Sequence, residues 1–375
     1  MLKIVNKIFS FKKIKFTPYK KVDLIFLEDN AINLRFNNLS CKVLDYKEIN
    51  LYHLFVSVLS SLIRFKFSKK SISDFYFKYI MLYLNPHVAV GNEVDYRIFR
   101  FIKNFPDKKT ILYQFAQYDF SYQKITKNNI SGYLNTNKKI KASYFFIWHK
   151  KYNKYFDFFD TKFIVAGSLR SNSFPIKSKK KIYDIMFISQ FRRPVKDYYG
   201  TNDHYLSMRV QDAVVSYIMK ILESIRKKYN LKIAIALTSS RIEKKNTISK
   251  RDEIKFYERD VKKFYTSDKS SFELAAKCKL IISIHSTLGH ELLFKGYKVL
   301  FLNPHKFYFN TNDLGYSRHL YFGSSEKKQI IKKIINTLNI SNKVWEKKII
   351  KFKKNNYDKN NSKIKNLINK LLIKK

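Results

Sequence analysis

The amino-acid sequence predicts an α/β protein in which two Rossmann-like domains with parallel sheets face a cleft, followed by C-terminal helices. Two observations support this prediction. Short apolar runs alternate with longer helical patterns in both halves of the 375-residue chain. Between the halves, residues 170–181 are polar and basic, with one proline and no periodicity, which is typical of a linker. We therefore expect one domain over residues 1–175 and a second over residues 176–375 that includes the terminal helices.

The first half alternates strand and helix patterns. Apolar runs predict strands at 22–27, 41–44, 87–90, 110–115, 143–148 and 162–166. Helical spacing predicts helices at 51–65, 73–84 and 94–103, and Asn85-Pro86 ends the second of them. The segment 51–65 is the longest apolar run. Because it is short and interrupted by His53, we expect a buried helix rather than a membrane span.

The second half continues the alternation. Strands are predicted at 183–188 and 232–237, and helices at 208–228 and 272–277. Residues 238–251 are polar and predict a loop. Residues 281–302 read as a buried strand, a polar turn, a short helix and a second buried strand, which is a βαβ unit of a parallel sheet. From residue 327 onward, Ile and Leu recur at helical spacing among Lys and Asn, which predicts terminal helices.

The βαβ unit carries the most informative polar cluster. Ser286, Thr287 and Gly289 open its helix at the carboxyl end of the first strand, where open α/β sheets bind ligands. Free backbone N–H groups and the helix dipole favour phosphate at such a position. Glu291 follows in the first helical turns and could reach a hydroxyl group beside that phosphate. A Ser-Thr pair also serves simply as a helix cap, and that alternative stays open.

The charge of the chain is strongly basic. Lys and Arg number 75 against 29 Asp and Glu, a formal net charge of +46. Such an excess favours nucleic acid or an anionic membrane as partner. The basic residues are spread along the chain rather than forming one stripe, so we expect no specific nucleic-acid partner. Peripheral contact with the anionic inner face of the cell membrane remains open.

The cysteines, the glycines and the first residues of the chain argue against several classes of protein. Cys41 and Cys278 give neither a disulfide framework nor metal-ligand spacing, so we expect a reducing cytoplasm, and no metal. Residues 1–15 mix charges with apolar residues, which is atypical of a signal peptide. No Walker loop or Gly-x-Gly-x-x-Gly motif occurs among the 8 glycines, which argues against an ATPase or a typical dehydrogenase. We expect no cofactor.

Three motifs and one dipeptide resemble those of a known family. They are Phe187-Ile188-Ser189-Gln190-Phe191-Arg192, Ser270-Ser271-Phe272-Glu273-Leu274, Ser286-Thr287-Leu288-Gly289-His290-Glu291 and Gly167-Ser168. Through these motifs, taken in chain order over roughly residues 80 to 305, the chain resembles bacterial surface-polysaccharide (O-antigen or capsule) biosynthesis transferases. The resemblance implies a GT-B-like glycosyltransferase, with the nucleotide-sugar donor on the C-terminal domain, the acceptor on the N-terminal domain and no obligatory metal.

The resemblance also implies roles for residues of the βαβ unit. Glu291 matches the carboxylate that often binds the donor ribose hydroxyls, and Ser286, Thr287 and Gly289 match the turn that faces the phosphates. The chain departs from the pattern at His290, where relatives have a tyrosine.

Other candidates for donor binding lie outside that unit. Arg192 follows a predicted strand and Arg241 follows the next one, and arginine pairs with phosphate oxygens through two parallel hydrogen bonds. Ser270 and Glu273 have the spacing of a helix-capping box. Ser271, beside them, is a candidate contact to the nucleobase or ribose, with a purely structural role as the alternative.

Glycosyl transfer with inversion needs a base that accepts the proton of the acceptor hydroxyl. Carboxylates at the predicted strand ends of the first domain are candidates: Glu28, Asp29, Glu93, Asp95 and Asp119. Glu93 and Asp95 are preferred because they follow the apolar strand at 87–90. His285 could donate to a phosphate or to the leaving group.

Together these observations predict a metal-independent cytoplasmic glycosyltransferase that moves a sugar from a nucleotide-sugar donor to a growing surface polysaccharide or lipid-linked glycan. Two alternatives stay open: a phosphotransferase of similar fold that moves a polyol phosphate from a CDP donor, and a basic nucleic-acid or membrane-surface binding protein without catalysis.

Overall fold

The structure is a computed structural model that describes residues 13–27, 34, 36, 39–44, 48–64, 68–116, 120–134, 138–174, 180–191, 202–238, 247–267, 270–304, 319–353 and 358–373. The chain divides into two compact units. The first comprises Met1–Ser173 and Asp358–Lys375, and the second comprises Phe174–Tyr357.

The first unit is built on a six-stranded sheet in which every described pair is parallel, with the strand order β3-β2-β5-β6-β7-β8. A separate parallel pair joins β1 to β4. The bounds of the strands are β1 Lys13–Lys15, β2 Leu24–Phe26, β3 Cys41–Val43, β4 Glu48–Asn50, β5 Val88–Asn92, β6 Lys109–Tyr113, β7 Ile140–Ile147 and β8 Phe159–Val165.

The helices of the first unit begin at polar residues that accept hydrogen bonds from the first turn. The Asn50, Ser68 and Asp95 side chains cap three of them by accepting from the backbone N–H groups of His53, Ser71 and Arg97. The bounds are α1 Leu51–Ile63, α2 Lys69–Leu84, α3 Tyr96–Asn104, α4 Phe120–Leu134 and α5 Leu169–Asn172.

The second unit has a five-stranded parallel sheet with the order β10-β9-β11-β12-β13. Its strands are β9 Tyr183–Ile188, β10 Ile233–Ala236, β11 Cys278–Ser283, β12 Val299–Leu302 and β13 Tyr321–Phe322. Its helices are α6 Asn202–Tyr229, α7 Thr247–Glu258, α8 Ser271–Ala276, α9 Thr287–Phe294, α10 Lys327–Asn339 and α11 Asn342–Lys353.

The core of the second unit follows from helical periodicity on one side and continuous apolar strands on the other. Along α6, Val215, Ile218, Leu222 and Ile225 recur at intervals of three and four and are buried on one face. They belong to the same core cluster as buried strand residues of β9, β10, β11 and β12. Strands of a covered parallel sheet bury both faces, which explains why their sequences are nearly all apolar.

The last helix, α12 Ser362–Ile373, packs on the first unit. Ile364, Ile368 and Leu372 enter the core cluster that contains strands of the first sheet. This corrects the expectation that all terminal helices belong to the domain at 176–375. The apolar face of α12 is covered by the first sheet, a pairing between distant parts of the chain that local sequence patterns do not show.

Two further expectations need correction. The helix at 51–65 was expected to be buried, but α1 exposes large apolar side chains, among them Phe55 and Ile63. The polar stretch 238–251 was expected to be a loop, but α7 begins within it at Thr247. No helix among the described residues combines the length and the apolar character needed to cross a bilayer.

Candidate functional site

The strand order of the second unit creates a switch point beside β9. From β9 the chain forms β10 on one side and later forms β11 on the other side. The connections at the carboxyl ends of β9 and β11 therefore run in opposite directions and leave a crevice, which is where open α/β sheets bind ligands. A pocket of about 240 Å³ lies there, lined by residues 188–191, 236–238 and 285–288 and by Ser271.

The amino end of α9 opens on this pocket. The Ser286 hydroxyl caps the helix by accepting from the Leu288 N–H at 3.3 Å, and the Ser286 N–H donates to the Ser283 hydroxyl at 3.1 Å. Both bonds fix the turn between β11 and α9. Since Ser286, Thr287 and Leu288 line the pocket, the positive end of the helix dipole faces it. This arrangement suits an anionic group such as a phosphate.

Gly289 faces the sheet rather than the pocket. A Cβ atom at this position would lie 2.8 Å from the Ser283 Oγ and 3.0 Å from a ring carbon of Phe301. The Gly289 N–H donates to the Ser286 carbonyl at 2.8 Å within the first turn. Glycine therefore permits the close approach of α9 to β11 and β12, and a contact of Gly289 to the donor stays a prediction.

Glu291 is fully buried in α9 and is not among the residues that line the pocket. Lys295, one turn later, is also buried, and its Nζ donates to the Phe174 carbonyl at 2.7 Å. Burial lowers the pKa of Lys295 to about 8, while attraction to Glu291 opposes this shift. The two residues thus form a buried pair of opposite charge behind the pocket, and binding of ribose by Glu291 stays a prediction.

A polar network beneath the pocket was not foreseen. The Ser189 hydroxyl, at the end of β9, donates to the Glu253 carboxylate and accepts from the Tyr257 hydroxyl at 2.7 Å. The same carboxylate accepts from the Thr238 N–H at 2.8 Å, just beyond β10. Glu253 and Tyr257 are fully buried residues of α7. The network therefore ties the ends of β9 and β10, which form two walls of the pocket, to one helix.

Two other candidates lie at the pocket. Ser271 is the first residue of α8 and lines the pocket wall. Its neighbour Ser270 caps α8 by accepting from the Glu273 N–H at 3.3 Å, as the capping-box spacing predicts. His285 lines the pocket between β11 and α9. Ser271, His285, Ser286 and Thr287 are thus brought together in one pocket, although their roles toward a donor stay predictions.

Glu93 and Asp95, the preferred bases, lie in the first unit at the end of β5. The Glu93 carboxylate is fully buried and accepts from the Phe115 N–H through both oxygens, at 3.0 and 2.8 Å. Asp95 caps α3 and forms an ion pair with Arg97 at 2.6 Å. These contacts give both carboxylates a structural role, and the catalytic role stays a prediction.

The neighbouring strand ends of the first unit contribute a histidine that the sequence analysis did not consider. His149 follows β7 and Trp148, and its Nδ1 accepts from the Lys151 N–H at 3.1 Å. Burial, with a smaller contribution from nearby lysines, lowers the pKa of His149 to about 4. The imidazole is therefore neutral near pH 7. Its position directly after an apolar strand was the signal that could have identified it.

Several candidates fall outside the described residues: Glu28, Asp29, Asp119, Arg192 and Arg241. Within the described part of the chain, no three His, Cys, Asp or Glu side chains are placed to hold a metal ion. That the activity needs no metal ion stays a prediction.

The greater part of the sequence matches a known protein family. Residues 122–372 match the model of a family described as "putative O-antigen biosynthesis protein". No protein of curated function matches the chain in sequence.

Comparison with solved structures concerns the fold. The chain is similar to UDP-GlcNAc 2-epimerase from Neisseria meningitidis bound to UDP-GlcNAc, with 13% identity, 95% of this chain and 100% of that chain covered, and a TM-score of 0.52. It is similar to S. aureus MnaA solved with UDP, with 13% identity, 95% and 97% covered, and a TM-score of 0.55. The epimerase from Methanocaldococcus jannaschii gives 11% identity, 93% and 99% covered, and a TM-score of 0.54. The predicted GT-B-like α/β fold is confirmed.

Proposed function

We propose that this chain, which belongs to the O-antigen biosynthesis protein family, transfers a sugar from a nucleotide-sugar donor to a growing surface polysaccharide or lipid-linked glycan. The observation that carries the proposal is the pocket at the switch point of the second sheet, on which the amino end of α9 opens. The family supplies the biological setting, and the pocket supplies a place for the donor phosphates.

The lining of the pocket supports a nucleotide diphosphate. The positive end of the α9 dipole, which faces the pocket, stabilises phosphate charge without a metal ion. The hydroxyls of Ser271, Ser286 and Thr287 and the imidazole of His285 add donors around the same space. Structures of similar fold were solved with UDP and with UDP-GlcNAc. A UDP-linked sugar is therefore the first donor to test.

A second candidate is epimerisation of a nucleotide sugar. It is favoured by the names of the similar structures, which include UDP-GlcNAc 2-epimerases. The two reactions differ in their need for an acceptor. An epimerase changes the sugar of the donor by itself, whereas a transferase releases the nucleotide only when an acceptor hydroxyl is present.

A lipid-linked acceptor would place the reaction at the cytoplasmic face of a membrane. The protein would then work as a cytoplasmic enzyme in peripheral contact with the anionic leaflet. Glu93 and Asp95 stay the proposed proton acceptors, His285 is proposed to donate to a phosphate or to the leaving group, and Arg192 and Arg241 are proposed donor contacts.

The donor site is tested by a change of charge at Thr287. An acidic residue in the first turn of a helix stabilises the helix through its dipole but repels phosphate. Thr287→Glu should therefore keep or raise the melting temperature while weakening binding of UDP at least about tenfold in titration calorimetry. Thr287→Gln has similar size without charge and should bind UDP more tightly than Thr287→Glu.

Asn342→Glu is the matched control for this experiment, because it adds the same single negative charge to the first residue of α11, outside the pocket. It should leave UDP affinity unchanged. Equal UDP affinity of the Glu and Gln variants at Thr287 would remove the phosphate site. The reaction is then assigned by incubating the donor alone and with lipid-linked glycan: nucleotide release that requires the acceptor supports transfer, and a changed sugar without acceptor supports epimerisation.

A further inference from the structure

Helix α1 has the reverse of the usual polarity for a helix on a folded domain. Its buried face carries His53, Ser57 and Ser61, all fully buried. Its exposed face is apolar: Phe55 is 65% exposed and Ile63 is 76% exposed. No residue of Leu51–Ile63 is charged. A globular helix normally buries its apolar stripe, so the exposed stripe indicates a partner outside the unit.

The buried face of α1 is polar because it is held by specific contacts to its neighbours. His53 stacks on the Tyr19 ring at 5.4 Å and contacts the Tyr83 ring of α2 at 4.7 Å. The Ser60 hydroxyl bonds the Tyr79 hydroxyl of α2 at 2.7 Å, while the Ser57 hydroxyl is satisfied within α1 by donating to the His53 carbonyl. The contacts that His53 and Ser60 make with neighbouring residues fix which face of α1 turns inward. The apolar side chains therefore cannot turn inward without breaking them.

We name the exposed apolar residues of these two helices the outer face: Tyr52, Phe55, Leu59, Leu62 and Ile63 of α1 with Leu82 and Tyr83 of α2. At 100° per residue, its five residues on α1 span an arc of about 100°. Tyr52 and Tyr83 join the two helices through their hydroxyls at 3.0 Å. The outer face is thus one continuous surface rather than scattered apolar residues.

The surroundings of the outer face are basic. Arg64 directly follows Ile63 at the end of α1, and Lys78 lies one turn before Leu82 on α2. Both basic side chains are exposed. Glu48, three residues before α1, has an almost buried side chain whose charge is neutralised by Lys42 at 2.7 Å and by Lys15 at 3.5 Å. An apolar stripe bordered by uncompensated positive charge has the chemistry of a helix that lies in a membrane interface.

We propose that the outer face docks on the anionic leaflet of a membrane. Phe55, Leu59, Leu62 and Ile63 would enter the boundary between headgroups and acyl chains. The bordering Arg64 and Lys78 would contact acidic headgroups. A second copy of this chain fits less well, because a symmetric contact would bring two basic borders together. The assignment rests on the proposed membrane-borne acceptor, and it names the surface that brings the enzyme to it.

Vesicle sedimentation tests the proposal with the full-length protein. Wild type should bind phosphatidylcholine vesicles that contain phosphatidylglycerol and bind pure phosphatidylcholine vesicles far more weakly. Phe55→Ser combined with Leu62→Ser should weaken binding about tenfold or more, since two large apolar side chains no longer leave water. Arg64→Gln combined with Lys78→Gln should weaken binding roughly thirtyfold at low salt.

Val344→Ser combined with Ile350→Ser is the matched control, because these α11 residues are 45% and 57% exposed and lie in the second unit. It should bind vesicles as wild type does. Equal loss in this control, or equal binding to neutral and anionic vesicles, would overturn the proposal. The proposal would also be overturned if the wild-type protein did not bind vesicles but formed a dimer in analytical ultracentrifugation that the Phe55 and Leu62 changes dissociate. UDP affinity, measured on the same variants, reports separately on the donor site.

Discussion

Replacement of Ser189 by alanine is expected to weaken both the second unit and its pocket. The Ser189 hydroxyl uses its full hydrogen-bonding capacity: it donates to Glu253 and accepts from the Tyr257 hydroxyl at 2.7 Å and the Phe191 N–H at 3.1 Å. Burial raises the pKa of Tyr257, so its hydroxyl stays protonated and needs an acceptor throughout the neutral range. Alanine removes the common partner of all three groups.

The size of the effect follows from the groups left behind. A buried polar group that loses its partner costs about 1–3 kcal/mol, and a bond to a charged group contributes more than a neutral one. Glu253 keeps its bond from the Thr238 N–H, which limits the loss. We therefore expect Ser189→Ala to lower the free energy of unfolding by about 2–4 kcal/mol. For a unit of this size the melting temperature should fall by roughly 5–15 °C.

Urea unfolding followed by circular dichroism measures this loss, and titration with UDP measures the effect on the pocket. Affinity for UDP should fall because the ends of β9 and β10 are no longer held together. Ser57→Ala is the control, since Ser57 is equally buried but bonds only a helix carbonyl. Its loss should stay under about 1 kcal/mol. If Ser189→Ala costs no more than Ser57→Ala, the network does not hold the pocket.

Four further predictions concern other parts of the molecule. Gly289→Ala should lower stability by about 1–3 kcal/mol in thermal unfolding, because its Cβ overlaps the sheet, and it should leave UDP affinity of the folded protein unchanged. Glu291→Gln should lower stability by about 1–3 kcal/mol, because it removes the attraction between Glu291 and the buried Lys295. Wild-type stability with tenfold lower kcat/KM would instead assign Glu291 to the donor. The free energy of unfolding, measured in urea, should fall as the pH drops below 6.5. Burial lowers the pKa of His149 to about 4 and that of His290 to about 3, so the unfolded chain takes up protons that the folded chain does not. His149→Gln should flatten this fall. Activity should survive EDTA, because the start of a helix meets the phosphate charge, and loss that Mn²⁺ restores would contradict this.

The sequence was informative wherever a local pattern decides the structure. The apolar runs around Ser286 predicted β11, α9 and β12, because burial on both faces requires continuous apolar strands and the helix start requires a cap. The capping of α8 by Ser270 follows from the same local chemistry. These features depend on neighbours within a few residues, so the printed sequence suffices to find them.

The sequence was less informative wherever distant residues meet. Glu253 and Tyr257 lie four residues apart on α7, but their common partner Ser189 is more than sixty residues away. The reversed polarity of α1 was visible as His53, Ser57 and Ser61 at intervals of four, yet spacing alone does not tell which face of a helix meets the protein.

The Asn172 and Asn361 side chains form a hydrogen bond of 2.9 Å inside the first unit, although almost two hundred residues separate them. The second unit is thus inserted between parts of the first, and this fixes an order of events during synthesis. The first sheet leaves the ribosome without α12, while Phe174–Tyr357 forms one uninterrupted segment. At about 5–20 residues per second, the ribosome needs roughly 10–40 s to reach α12. During that time the apolar surface that Ile364 and Ile368 later cover stays exposed, whereas the second unit is complete once Tyr357 has been made.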